Sequence, residues 1–340
     1  MAGIKRYRRC EAWDYSHGAS LFITIATEAR QMVFGRIEKG EMRLSELGKQ
    51  VEKALKEMPR LNVGLKLFGY VVMPDHIHFN VALGAGRKEP LKVLGFAIRR
   101  FKVYTTKLAK HSLAISTKGA TNSVDGRAEL GQKLWQQGYH DRLCPTREMI
   151  DATERYIRYN PLKWQLMYRA EKVLAIHEPL DSPRLDLRDY WKGVGNVGLL
   201  DVNEKILGVR ISRKCKQDEI EKAVQRIWRA VDLGYIVLSG FVSPGEKQLR
   251  DKLCLRADAR FIRMLPSGIP NARFKPESQY VEAFASGRYL EIGRGNDGVD
   301  FSRAVCLNYN EEIIRIANAG EGLSLYWRGD GKVTKEGEKL

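Results

Sequence analysis

Residues 68–83, FGYVVMPDHIHFNVAL, constrain this chain more than any other stretch. Val, Tyr, Phe and Ile crowd both sides of Met73-Pro74-Asp75, so the segment predicts two strands joined or interrupted by a Pro-Asp turn. Side chains two apart along a strand point the same way. His76 and His78 therefore share one face, close enough to grip a single ion, while Ile77 turns to the core. Neutral imidazole is the commonest protein ligand for divalent metals, and a strand holds such a pair more rigidly than a loop. An isolated His-X-His is usually two solvated histidines. This chain has only 6 His, and two of them open an apolar strand beside a Pro-Asp turn.

Charge points to the partner. Lys and Arg number 58 against 41 Asp and Glu, a formal charge of +17, and each phosphate neutralised by Lys or Arg releases a condensed counterion. A polyanion such as DNA is the expectation, though a basic surface alone also serves solubility. The 340 residues suggest two domains. No apolar run is long enough for a bilayer and the first residues, MAGIKRYRRCEAWDYSHG, carry no hydrophobic signal region, so no membrane partner and a cytoplasmic location are expected. Cys10, Cys144, Cys215, Cys254 and Cys306 are scattered without a Cys-X-X-Cys pair, which predicts reduced packing thiols.

In chain order, residues 4–12 read as a basic arm with Tyr7 interleaved. Ser20–Thr27 reads as a buried central strand, and Gln31–Leu44 as a hairpin turning at Lys39-Gly40. Ser45–Met58 reads as a helix capped by Ser45 and stopped by Pro59. After the two strands around HIH, Pro90–His111 predicts a second helix. Its Arg99, Arg100 and Lys102 are candidate DNA contacts, although a charged helix face is usually just solvated. Residues 119–131 read as a loop and Gln132–Leu143 as a last strand. Strand, helix, strand, strand, helix, strand predicts an α+β fold, a ferredoxin-like antiparallel sheet with helices on one face and the other face left for DNA and metal.

A helix should begin at Thr146, its N-cap, with Glu148 in the first turn. Tyr156 and Asn160 lie four apart on one face of it, and Tyr159 lies off that face. A tyrosine phenol can attack a phosphodiester in line and store the bond as a phosphotyrosine ester, helped by a metal that polarises the phosphate. A helical Tyr is more often core filler, so spacing alone does not assign the role. Pro161 disfavours helical backbone at Asn160, which places that residue in a loosened last turn.

Two strings carry a resemblance. YVVMPDHIHF is similar to the His-hydrophobic-His signature of the HUH endonuclease superfamily, specifically the REP-associated tyrosine transposases and their insertion-sequence relatives, whose version usually has Asn where Asp75 stands. RYIRYNPLKW resembles the YIxxNP nucleophile helix of the same group and lies downstream of HIH as theirs does. The resemblance covers about the first half of the chain. It implies that Tyr156 is the nucleophile and that His76, His78 and Asn160 bind Mg²⁺ or Mn²⁺. It also implies single-stranded or hairpin DNA as substrate, a 5′-phosphotyrosine intermediate, and a monomer or homodimer. Relatives often carry Gln at the Asn160 position. WQQGYHDR resembles their strand before this helix, which makes His140 or Asp141 a candidate partner behind the metal ligands; a structural His-Asp pair is the competing reading. A non-cleaving hairpin-binding regulator remains the alternative from another class.

Residues 181–189 read as a connector, giving domains at 1–180 and 190–340. Beyond it, the run VGLLDVN, a helix over Asp218–Gly234, the unit YIVLSGFVSPGEKQLRDKL, and strands RFIRML and YLEIG predict an α/β Rossmann-like domain with a largely parallel sheet. SPGEK and GRYLEIGRGND faintly resemble the superfamily that includes the DNA-processing protein DprA and the LOG nucleotide hydrolases. A structural or DNA-holding role is favoured over catalysis there, with nucleotide binding as the alternative; Arg210, Arg213, Lys214 and Lys216 would supply the phosphate contacts, and an ordinary solvated connector is the competing reading of that run.

Overall fold

Strand β1 (Ala19–Ala26), rich in β-branched and aromatic residues, is the middle of the first sheet in the computed structural model, which describes residues 13–86, 89–118, 133–168, 171–186, 188–269, 274–294 and 302–336. The basic arm at 4–12 and the loop at 119–131 lie outside the described residues. The chain divides into two units at Gln165/Leu166.

In the first unit, β2 (Gly35–Glu38) and β3 (Glu41–Leu44) form the expected hairpin. Its turn residues Lys39 and Gly40 both have positive φ, 52° and 79°, the geometry of a two-residue turn that follows the twist of the strands. Ser45 caps α1 (Glu46–Leu61), accepting a hydrogen bond from the Gly48 amide. Pro59 does not stop α1. It sits in the final turn, and Asn62 closes the helix by donating its side-chain amide to the Met58 carbonyl at 2.7 Å.

The signature stretch forms β4 (Leu65–Met73) and β5 (His76–Leu83) around Pro74-Asp75. After them come α2 (Pro90–Lys118), β6 (His140–Leu143) and α3 (Arg147–Tyr168). The sheet is antiparallel throughout, in the order β4-β5-β1-β6. One face buries Ile23, Ile25, Ile77 and Phe79 in a core shared with Val51 and Leu55 of α1 and with Leu94, Ile98 and Phe101 of α2. Each such side chain contributes about 1.5–3 kcal/mol relative to exposure.

Three expectations change here. The predicted last strand shrinks to β6, because Trp135 is drawn into the core. Its indole N–H donates to Thr105 Oγ1 at 2.8 Å and its ring lies against Phe34 and Phe101. Helices do not occupy one face alone: α3 lies on the other, with Tyr156 against Phe22 and Ile157 beside Gly69. Asn160 is not in a loosened last turn either, since α3 continues through Pro161 to Tyr168. The hairpin tip holds the helix beyond the proline. Leu162 lies against Gly40, and the Gly40 amide donates to Gln165 Oε1 at 2.5 Å.

The second unit holds β7 (Ile176–His177), β8 (Trp191–Gly195), β9 (Ile206–Ile211), α4 (Gln217–Asp232), β10 (Ile236–Ser239), α5 (Pro244–Leu255) and β11 (Phe261–Met264). Then follow α6 (Val281–Ala285), β12 (Tyr289–Arg294), α7 (Arg303–Asn318), β13 (Leu323–Trp327) and β14 (Val333–Glu336). Strand order is β14-β13-β9-β10-β11-β12-β8-β7, and the neighbours from β13 to β12 run parallel. VGLLDVN does not form a strand; Val197–Leu200 is a turn of 3-10 helix, begun by the Asn196 side chain accepting from the Gly198 amide. Arg184, fully buried, donates to the carbonyls of Asp201, Val202, Glu204 and Ile316. Gly320 permits this, since a Cβ there would come 2.6 Å from Arg184 Nη2.

Candidate functional site

The face of the sheet under α3 carries the groups that the signature motifs single out. In antiparallel pairing, directly opposed residues project to the same side. Thr24 opposes His78 on β5 and His140 on β6, and Phe22 opposes Asn80 and Arg142. His76, His78 and Asn80 of β5 therefore share a face with Thr24 and Phe22 of β1.

The imidazoles of His76 and His78 meet edge to face, with ring centroids 4.5 Å apart and their Nε2 atoms 3.0 Å apart. Each outer nitrogen is anchored. His76 Nδ1 lies 2.5 Å from Asp75 Oδ1, and because an ionised carboxylate only accepts, the proton sits on Nδ1 and leaves the Nε2 lone pair pointing inward. His78 Nδ1 lies 2.8 Å from Thr24 Oγ1. The His76 Nε2 lone pair lies within hydrogen-bond distance of His78 Nε2, and the space between them takes either the His78 Nε2 proton or, once that proton is lost or moved to Nδ1, a cation. The donor chemistry thus suits a divalent ion held by two neutral imidazoles.

Electrostatics favour the neutral form of His78. Burial holds the His78 imidazole well below the usual histidine pKa, and the nearby His76 and Arg30 push the same way. Neutral imidazole is the ligating form. For Asp75, burial pushes the carboxyl up, but the His76 hydrogen bond and the charges of His76 and Arg30 outweigh it, so the pKa falls below the ordinary carboxylate value. Arg30 Nη1 stands 3.3 Å from Asp75 Oδ2. The Asp75 carbonyl also accepts from the Thr27 amide and hydroxyl, which fixes the turn that delivers His76.

Tyr156 completes the cluster. Its ring meets His78 edge to face at 5.2 Å and Phe22 at 5.7 Å, and Phe22 stacks on His78 at 5.1 Å. The Lys163 ammonium lies 5.9 Å from the Tyr156 ring centroid. Asn160, one turn further along α3, is buried. Among the described residues, no group of three or more His, Cys, Asp and Glu side chains is arranged to hold a metal, so the clamp is two imidazoles without a converging carboxylate.

The remaining sequence candidates fall elsewhere. His140 stands two strands from His78, on the same face across Thr24, whereas Asp141 opposes Ile23 and projects toward the core side. The groups against the outer histidine nitrogens are Asp75 and Thr24. Arg99 and Arg100 are exposed on α2, which packs on the opposite face of the sheet from Tyr156, and they line the groove between α1 and α2. Lys102 is not a free surface cation. Its ammonium donates to the carbonyls of Gln136 and Gly138, and burial lowers its pKa to about 8. Sequence reasoning missed Thr24 and Asn80, though strand alternation through HIHFN would have placed Asn80 beside the histidines. Asn80 is buried, and its Nδ2 finds no acceptor among the described residues.

Comparison with known proteins gives limited likenesses. No family model matches the chain. An uncharacterized protein of Haemophilus influenzae is 23% identical over 183 residues, covering 48% of this chain and 93% of that protein. Among solved structures, a REP-associated tyrosine transposase bound to a REP hairpin aligns over 47% of this chain and 74% of its own, at 16% identity and a TM-score of 0.31. A candidate transposase from Deinococcus radiodurans aligns over 44% of this chain and 95% of its own, at 20% identity and a TM-score of 0.25.

Proposed function

We propose that the first unit is a metal-dependent, single-tyrosine DNA strand transferase of the HUH type, with a ferredoxin-like sheet, acting on single-stranded or hairpin DNA. The observation that carries this reading is the packing of the Tyr156 ring against His78 while the His78 and His76 Nε2 atoms converge at 3.0 Å. A protein that only held DNA would have no physical need to bring a phenol beside two anchored, inward-facing imidazoles.

His76 and His78 would hold Mg²⁺ or Mn²⁺, with the Asn160 amide oxygen as a third donor. The ion would supply charge that polarises the scissile phosphate and stabilises its oxygens as they gain charge. Asp75 keeps the His76 proton on Nδ1, and Thr24 anchors His78 Nδ1, so that both Nε2 atoms face inward. Phe22 and α3 keep the Tyr156 ring on this face of the sheet, and Lys163 places positive charge beside it to draw in the phosphodiester. The Tyr156 oxygen attacks phosphorus, forming the Tyr–O–P bond. The P–O3′ bond breaks and the departing 3′ oxygen takes up a proton, leaving a 5′-phosphotyrosine and a free 3′-OH. Attack by a 3′-OH on that ester reverses the bond changes and rejoins a strand without an external energy source.

The test is denaturing electrophoresis for covalent protein–DNA adducts, using the hairpins flanking the gene as single strands. Wild type should form adducts with Mg²⁺ or Mn²⁺ and none with EDTA. Tyr156→Phe should form none, and His76→Ala with His78→Ala should lose cleavage while keeping much of the charge-driven binding. Adducts from Tyr156→Phe, or cleavage undiminished by EDTA, overturns the assignment. Tight binding without cleavage under every condition indicates a non-cleaving regulator instead.

A further inference from the structure

The second unit contains a cavity that the strand-transfer chemistry leaves unused. From β9 the chain passes through α4 to β10 on one side, while β13 reaches the other side of β9 through α7. Connections that depart to opposite sides open a crevice beyond the carboxyl ends of the strands, where open parallel sheets bind ligands. A cavity of about 620 Å³ lies there, within the range of small-molecule sites. Its walls come from the ends of β9, β10 and β13 and from α7.

The lining decides the chemistry. Arg210 opposes Tyr326 across the β9–β13 pair, and its guanidinium stacks on that ring at 4.4 Å. Tyr309 and Asn310 of α7 face the same space, and Arg213 and Lys214, both exposed, stand at the end of β9. A flat guanidinium–phenol stack suits a planar base, an amide suits the edge of one, and two cations suit phosphate. The loop after β10 does not receive that phosphate. Its amides at Val242 and Ser243, with that of Ile211, already donate to the buried Glu246 carboxylate. The phosphate therefore falls to Arg213 and Lys214.

We propose that this cavity binds a nucleoside phosphate, with the base between Arg210–Tyr326 and Tyr309 and the phosphate on Arg213 and Lys214. Bare phosphate would leave most of the volume empty. The ligand is either a free nucleotide or the 5′-terminal nucleotide of a DNA strand, which present the same chemistry. Cys306, in the first turns of α7, also lines the cavity and reports on its occupancy.

The test uses the full chain carrying Tyr156→Phe, so that no result depends on strand transfer. Equilibrium dialysis with each of the four nucleoside monophosphates should show saturable binding of at least one, weakened at least tenfold in Arg213→Ala with Lys214→Ala. The same nucleotide should slow alkylation of Cys306, followed by mass spectrometry of its peptide, whereas adenosine and inorganic phosphate at equal concentration should not. Competition by a 5′-phosphorylated oligonucleotide but not by its 5′-hydroxyl form assigns the ligand to a strand end, and absence of competition assigns it to a free nucleotide. Three results overturn the proposal: no saturable binding at millimolar nucleotide, binding unchanged in the double variant, or equal competition by both oligonucleotides, which marks a general DNA surface.

Discussion

Thr24 shows how much at this site rests on residues with no reactive chemistry of their own. Its hydroxyl, which can donate or accept, lies 2.8 Å from His78 Nδ1 and fixes the orientation of the buried ring, so that Nε2 faces His76. Thr24→Val keeps the shape and the strand while deleting that contact. Mn²⁺ affinity, followed by paramagnetic resonance titration, should fall about 10- to 100-fold in the variant. An unchanged affinity would mean that Phe22 stacking alone positions the ring. Asp75 plays the matching part for His76, and a single residue thereby serves both the turn, through its carbonyl, and the imidazole, through its carboxylate.

At the level of elements, the contact between α2 and the segment before β6 carries a titration. Lys102 sits in that contact with a pKa of about 8, against an ordinary value of 10.5, because burial disfavours its charge. Between those two pH values the unfolded chain keeps a proton that the folded chain has released. Stability therefore rises with pH across that window and is flat below it. Urea titrations at pH 8, 9 and 10 should show wild type gaining on Lys102→Met as pH rises; a difference that stays constant or shrinks would contradict the buried placement.

Elements with strong local periodicity were legible in the sequence: β1, the β2–β3 turn, α1, β4–β5, α4 and α5 all lie where apolar spacing and caps put them. Several of the misses share a cause, which is contact from distant chain. Lys102 looks like any cation on a helix until the segment at 136–138 returns to cover it. Trp135 looks like part of a strand until Thr105 claims its N–H. Pro161 looks like a helix end until the hairpin tip holds the turns beyond it. Arg210, grouped in the sequence with Arg213, Lys214 and Lys216, belongs to β9, where its guanidinium stacks on Tyr326 from a strand more than a hundred residues away. The pairing of His76 and His78 was visible because it is local, whereas Thr24 was not, because its strand lies more than fifty residues away.

Across the whole molecule, each unit has a core of its own, and the second is built around a buried cation. Arg184 replaces water with backbone carbonyls at every face of its guanidinium, joining the segments at 201–204 to the end of α7. Removing it strands several buried acceptors at once. Arg184→Met should cost about 2–4 kcal/mol of stability in that unit. Hydrogen exchange of the β9 and β13 amides should rise accordingly, while β1 and β5 keep wild-type protection. Equal loss of protection in both sheets would show that the two cores unfold as one.

The tip of the β2–β3 hairpin works as a jig for the tyrosine. Gly40 bears on α3 at Leu162 and Gln165, one to three turns past Tyr156, while the Thr146 hydroxyl seats the first turn by accepting from the Met149 amide. A rod clamped on both sides of the working point has little freedom to slide along its axis or roll about it. Any side chain at position 40 acts as a shim: a Cβ there would lie 2.7 Å from Leu162 Cδ1, and the backbone, already at φ 79°, cannot swing aside to absorb it. Gly40→Ala should therefore leave DNA affinity near wild type and slow adduct formation, a fault in alignment rather than in grip.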